Sequence, residues 1–249
     1  MRTGVFKKFN KAGFTLVELM VAVAIFGIAS AAMYATYQQQ QNSYLTQEQV
    51  ADMQQNLRAA MFFVTGDLKK AGYDPSEKAE ATLNSNNIAR VAECRFAYDE
   101  NEDGVIQNNE YIRYALTSDG SNGINDSGRD GLRNSLPCHL GRQTGIAPDN
   151  SELESVADNV DAIEFLYHLA DGTITTNPAR PSEIRTMDVS LLVRTGEQIK
   201  GYIDRSTYFP ASNPGHETGV GKKVWGPFND PYQRRLLITQ IKCRNIGVE

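Results

Sequence analysis

The chain has 249 residues, 41% of them hydrophobic and 22% charged, with three cysteines. Those proportions exclude a collagen-like, disordered or polytopic membrane protein. The cysteines, Cys94, Cys138 and Cys243, are too few for a disulfide scaffold and include no close pair of the kind a zinc site needs. The net charge of -5 conceals an asymmetry: residues 1–13 carry Arg2, Lys7, Lys8 and Lys11 with no acid, and the remainder holds 21 basic against 30 acidic residues. So acidic a remainder argues against general nucleic-acid binding, which draws its affinity from basic side chains on phosphates.

Residues 14–37 contain a single charge, Glu18. At about 1.5 Å per residue they form a helix of about 36 Å, enough to cross a bilayer. The basic flank places residues 1–13 in the cytoplasm and everything after Tyr37 outside it. An ordinary export signal is one reading, with Ala29-Ser30-Ala31-Ala32 as its cleavage region. Glu18 argues for another. A charged side chain inside such a stretch costs about 2.5–3.5 kcal/mol and so calls for a specific partner, and Gly13 offers a small residue just before the apolar run, where a cut would keep the helix.

The run Gly13-Phe14-Thr15-Leu16-Val17-Glu18-Leu19 resembles the processing site of the type IV prepilin family, which covers pilins and type II secretion pseudopilins. The resemblance implies that a prepilin peptidase cuts between Gly13 and Phe14 and methylates the new Phe14 amine. Thr15 and Glu18 would then serve assembly, Glu18 facing the Phe14 amine of a neighbouring subunit. A buried carboxylate needs a counter-charge, and a new terminal ammonium at the same depth supplies one. Residues 14–37 hold no proline, whereas many major pilins have a helix-kinking one there, which leaves Gly27 as the weak point of the helix.

After Tyr37, Val50, Met53, Leu57, Ala60, Met61, Val64, Leu68 and Ala71 keep the spacing of an amphipathic helix. Gly72 can cap it and Pro75 prevents its resumption, so the spacing predicts one helix over residues 14–71, about 87 Å long. Residues 73–90 read as a polar loop. The periodicity then alternates: Cys94, Phe96 and Tyr98 share one strand face, as do Ile112, Tyr114 and Leu116, and residues 160–169, 187–194 and 235–243 are further strands. Several strands after one long helix predict an α+β head with a mainly antiparallel sheet. The organisation is thus a leader (1–13), a membrane and assembly helix (14–37), its amphipathic second half (38–72) and a head (73–249). Residues 118–135 and 210–231, rich in Gly, Asn, Ser and Pro, read as long surface loops suited to contact with neighbouring subunits.

Asp99-Glu100-Asn101-Glu102-Asp103-Gly104 with Glu110 satisfies the twelve-residue EF-hand calcium pattern, with Ile106 at its apolar position. Calcium would take side-chain oxygens from Asp99, Asn101 and Asp103, the Val105 carbonyl, a contact through Gln107 and two oxygens from Glu110. Strands rather than helices flank the loop, which predicts a static site pinning a hairpin. The alternative is an acidic, solvated turn with no ion.

The histidines His139, His168 and His216 are scattered, and the chain has neither a Gly-x-Ser-x-Gly elbow nor a phosphate loop, so no enzyme is expected. An oxidising compartment would allow one disulfide among three possible pairs, Cys94 with Cys138 being the expected one. Asp67-Leu68-Lys69-Lys70-Ala71-Gly72-Tyr73, Val160-Asp161-Ala162-Ile163-Glu164-Phe165 and the stretch from Asn229-Asp230-Pro231-Tyr232-Gln233-Arg234-Arg235 to Arg244-Asn245 resemble the PilW-type minor pilins and, more distantly, the J-type pseudopilins. That resemblance implies a structural protein of a type IV pilus, with other pilins, prepilin peptidase and the inner membrane as partners, its head periplasmic and later on an extracellular fibre. The alternatives are a type II secretion pseudopilin and an exported calcium-binding adhesin.

Overall fold

The computed structural model describes residues 13–81, 86–118, 124–126, 128–146, 153–219 and 222–246. The basic leader residues Arg2, Lys7, Lys8 and Lys11 lie outside the described residues, as do parts of the two loop segments. Compactness divides the chain into residues 1–47 and 48–249, and one helix, α1 (Leu16–Leu68), contributes to both units.

In the first unit α1 is helical without interruption. Thr15 sits where a helix N-cap belongs, the segment is rich in Ala, Leu, Met and Gln, and no proline removes a donor. Its apolar side chains point all round: Leu16, Val17, Leu19, Met20, Val21, Val23, Ile25, Phe26 and Ile28 are all exposed. This stretch is long and apolar enough to cross a bilayer.

In the second unit α1 behaves differently. Met53, Leu57, Ala60, Met61, Val64 and Leu68 are buried, a stripe at three- and four-residue spacing. The helix ends at Leu68, three residues short of the expectation, because the Lys70 and Ala71 N–H groups bond carbonyls three residues back, at Asp67 and Leu68. Gly72 then takes φ +76° and its N–H donates to the Ala97 carbonyl at 2.9 Å.

Two antiparallel sheets take the place of the single one expected. In the first, β1 (Ile88–Ala89), β2 (Glu93–Ala97), β3 (Tyr111–Thr117), β4 (His139–Thr144) and β5 (Glu154–Ala157) follow one another as a meander. In the second, β6 (Val160–Leu169), β7 (Ile174–Thr175), β8 (Ile184–Arg194) and β9 (Arg234–Lys242) lie in the order β7-β6-β8-β9. The chain changes sheet at the short Asp158-Asn159 turn, where Asn159 has φ +57°. The helix stripe, Phe96, Ile112, Tyr114, Leu116 and Leu140 of the first sheet, and Ile163, Phe165, Tyr167, Val189, Leu191 and Val193 of the second form one core. Asp67 fixes the helix end to the first sheet: its Oδ2 accepts from the Tyr114 hydroxyl at 2.6 Å and the Arg142 Nε at 2.7 Å.

Described parts of the two segments expected to be long surface loops are fastened to the head. On the other face of the second sheet, Ala162 and Leu192 are buried beneath Trp225, itself only 2% exposed, with Tyr208 and Phe228 beside them. Tyr208 and Trp225 exchange backbone hydrogen bonds of 2.8 and 2.9 Å. Glu164, fully buried, accepts from the Ser212 N–H and hydroxyl and pairs with Lys223 at 3.2 Å. At the root of this flap Arg234 forks onto Asp230 with two contacts of 2.6 Å and reaches Asp161 and Asp204, while Arg133 pairs with Asp161 from the other loop segment. Proline and glycine correctly mark the absence of regular structure here. They carry no information about Trp225 and the buried charges, which fasten the segment to the sheet.

The expected Cys94–Cys138 disulfide is absent: all three cysteines are buried free thiols. Strand order explains this. Cys94 on β2 pairs with Tyr114 on β3, which pairs with Arg142 on β4, four residues beyond Cys138. The two sulfurs are thus separated by two inter-strand spacings, about 10 Å, and by about 13 Å along the strand, whereas a disulfide needs Cα atoms within about 7 Å. Burial raises each thiol, to about 12 for Cys94, Cys138 and Cys243 alike, so all three stay protonated and unreactive at neutral pH.

Candidate functional site

Two places carry the chemistry read from the sequence, one in each unit. The first is the start of α1. Gly13 and Phe14 precede the helix in exposed chain without regular structure, Phe14 being 92% exposed. Thr15 and Glu18 form a reciprocal cap. The Thr15 N–H and hydroxyl both donate to Glu18 Oε2, at 2.8 and 2.9 Å, and the Glu18 N–H donates to the Thr15 hydroxyl at 3.2 Å. This is the Ser/Thr-x-x-Glu capping box, legible in the sequence as Thr15-Leu16-Val17-Glu18 but not read there. It gives Glu18 a local duty beside the one expected of it: Oε2 closes the first turn, and Oε1 remains for a further partner.

The second place is the acidic loop, which joins β2 to β3. Asp99 is fully buried, and its Oδ2 accepts the Gly104 N–H at 2.9 Å. Gly104 has φ +80°, and a side chain there would press on Ser76 and Lys78 of the segment following α1. Glu110, 1% exposed, ends a short 3₁₀ turn (Asn108–Glu110); its carboxylate accepts from the backbone N–H groups of Glu100, Asn101 and Gln107 at 3.0, 3.3 and 2.8 Å. Asp103, exposed, is met by Asn101 Nδ2 and Gln107 Nε2 at 3.0 and 2.7 Å. Val105 lies beside it, its N–H on Asp103 Oδ1.

The loop therefore brings Asp99, Asn101, Asp103, Val105, Gln107 and Glu110 onto one turn. Among the described residues, however, no three His, Cys, Asp or Glu side chains converge closely enough to form a ready-made cage. Glu110 in particular spends both oxygens on the backbone.

The sequence reading missed the residues that fasten the head: Asp67, Asp161, Glu164 and Arg234. All four lie in the segments that carried the pilin resemblance after the N-terminus: Asp67 in the last turn of α1, Asp161 and Glu164 between apolar neighbours in β6, and Arg234 at the start of β9. A charge in such a place is a recognisable anchor signal.

Comparison with known proteins adds two family matches. The family described as "Prokaryotic N-terminal methylation motif" matches residues 8–34, and "Prepilin peptidase-dependent protein B" matches residues 46–145. No curated protein matches the chain. Among solved structures, a type IV-like pilin from Thermus thermophilus is similar at 13% identity, covering 78% of this chain and 98% of that one, with a TM-score of 0.43. The chain thus matches a prepilin-type methylation motif over residues 8–34 and a prepilin-peptidase-dependent family over residues 46–145.

Proposed function

We propose that the chain is a prepilin cut between Gly13 and Phe14, whose mature form enters a type IV pilus as a minor subunit, at the tip or in the initiating complex. The observation that carries this reading is the start of α1: the exposed Gly13-Phe14 leads directly into an apolar helix whose large apolar side chains up to Leu45 are exposed and whose first-turn acid, Glu18, keeps an oxygen available. Before cleavage the leader holds the helix in the inner membrane with its basic end inside and the head in the periplasm. Cleavage creates an ammonium on Phe14, and methylation keeps its charge. In a fibre that ammonium meets Glu18 of an adjacent subunit, so that each neutralises the other away from water.

A minor rather than a major position is supported by the proline-free helix of residues 14–37 and by a head enlarged with a flap over its second sheet. The test is deletion of the gene together with immunodetection in sheared surface fibres. The reading expects sharply fewer fibres, unchanged export of secreted enzymes, and the protein present in fibres at a small fraction of the main subunit. Normal fibres with failed enzyme export would instead identify a type II secretion pseudopilin. Free protein in the medium and none in fibres would identify an exported adhesin.

A further inference from the structure

We infer that the loop at residues 99–110 is a calcium site that clamps the β2–β3 hairpin to the chain leaving α1. The decisive observation is Asp99. Its Oδ1 is buried and has no hydrogen-bond partner, in a residue that is fully buried. A buried carboxylate oxygen left unpaired costs several kcal/mol unless a cation or donor meets it.

No basic side chain among the described residues forms an ion pair with Asp99, Asp103 or Glu110. Lys70 reaches Glu100 instead, at 3.8 Å between largely exposed groups, and Lys78, whose stem borders Gly104, is itself exposed and ion-pairs with none of the three. Two buried carboxylates and a third on the same turn thus lack a counter-charge, and all the potential ligands are oxygens. That chemistry selects a hard divalent cation, and a loop offering up to seven oxygens fits calcium better than magnesium, which demands a rigid octahedron and keeps its waters.

One Asp99 oxygen is fixed by the Gly104 N–H at the tight turn, and the other is buried with no partner, which leaves it for an ion. The rest of the shell closes by small changes. Turning the Asn101 and Gln107 amides presents oxygen in place of nitrogen, and Glu110 exchanges backbone contacts for the ion.

The location says what the ion does. The Asp99 N–H donates to the Tyr73 carbonyl at 2.7 Å, the Gly72 N–H to Ala97, and the Tyr73 hydroxyl to Glu102 at 2.8 Å. The loop therefore grips the turn where α1 ends, and filling it locks that turn to the first sheet. The expected affinity, about 10⁻⁴ to 10⁻³ M as in extracellular modules, rests on the head facing outside the cytoplasm; binding itself does not.

The experiment is calcium titration of the full-length chain in detergent, by calorimetry and thermal melting, with magnesium in parallel. The inference expects one calcium per chain and a rise in Tm of roughly 3–10 °C at about 10 mM calcium, with both lost in Asp99→Asn and Glu110→Gln. Absence of binding and of any Tm rise overturns it, as does binding that survives both substitutions or an equal response to magnesium. If either buried variant fails to fold, Asp103→Asn at the exposed ligand decides: weakening of about tenfold supports the site, and unchanged affinity overturns it. Loss of the calcium site would leave incorporation into fibres untouched, so the two readings fail separately.

Discussion

The two halves of α1 are built from the same helical geometry and meet opposite fates. In residues 48–68 Met53, Leu57, Ala60, Met61, Val64 and Leu68 form one stripe buried within the head, with Phe62 and Phe63 exposed outside it. In residues 16–47 they point in all directions, and Phe26, Ile28 and Met33 are more than 70% exposed. Helical propensity cannot distinguish the halves; the angular distribution of apolar residues does. A striped helix is completed by its own chain, whereas an all-round apolar helix is completed only by lipid or by other helices. An acid from each half makes the same contrast: Asp67 finds Tyr114 and Arg142, while among the described residues Glu18 finds only Thr15.

The comparison breaks most visibly at Glu18. Glu18→Ala should lower incorporation into fibres by about a hundredfold or more, the effect of leaving an ammonium unpaired away from water, without changing membrane insertion. Glu18→Gln separates the two duties of the residue, because it keeps an acceptor for Thr15 and loses the charge. Immunoblots of sheared fibres should show it failing as Glu18→Ala does; normal incorporation would assign Glu18 to capping alone.

Within the head, Arg234→Ala should cost about 3–5 kcal/mol in denaturant unfolding, since it takes from the fully buried Asp204 its cation and leaves the fully buried Asp161 to Arg133 and Arg194. The paired truncations Leu57→Ala and Leu19→Ala test the contrast itself. The first opens a cavity in the core and should cost about 2–5 kcal/mol, and the second should leave head stability within about 0.5 kcal/mol. Equal effects would erase the distinction between the halves.

The smallest expected effect is acid-linked. Burial acts to raise the Asp230 carboxyl, but the forked hydrogen bonds and charge of Arg234 outweigh it and hold the group below the ordinary carboxylate value. The stabilisation is therefore complete above the unfolded-state pKa of about 3.9 and is lost as pH falls through the depressed folded value. Thermal melts across that range should show a steeper acid limb than melts of Asp230→Asn.

Much of the fold was legible because burial on a helix or strand leaves a period. Val50 to Leu68 read as a stripe and packs as one, and β6, β8 and β9 fall where alternation placed them, within a few residues. β4 escaped notice because Gly141, Arg142 and Gln143 interrupt its apolar pattern, and Arg142 is there to meet Asp67. β1 and β7 are two residues each, too short for any period. The division into two sheets rests on a turn at Asp158-Asn159 and on pairing partners distant in sequence, which local pattern does not encode. That same non-local pairing defeated the Cys94–Cys138 expectation. Of the candidate sites, the oxygen-donor spacing of residues 99–110 was fully written in the sequence, whereas the buried, unpaired Asp99 oxygen is visible only once the loop is folded.

The most direct measurement is the mass of the N-terminal peptide of this protein recovered from sheared surface fibres. The account expects a chain that begins at Phe14 with a methylated amine and retains the whole apolar half of α1. A chain that begins after about Ala32 would have lost that half and Glu18 with it, and would contradict the assembly role.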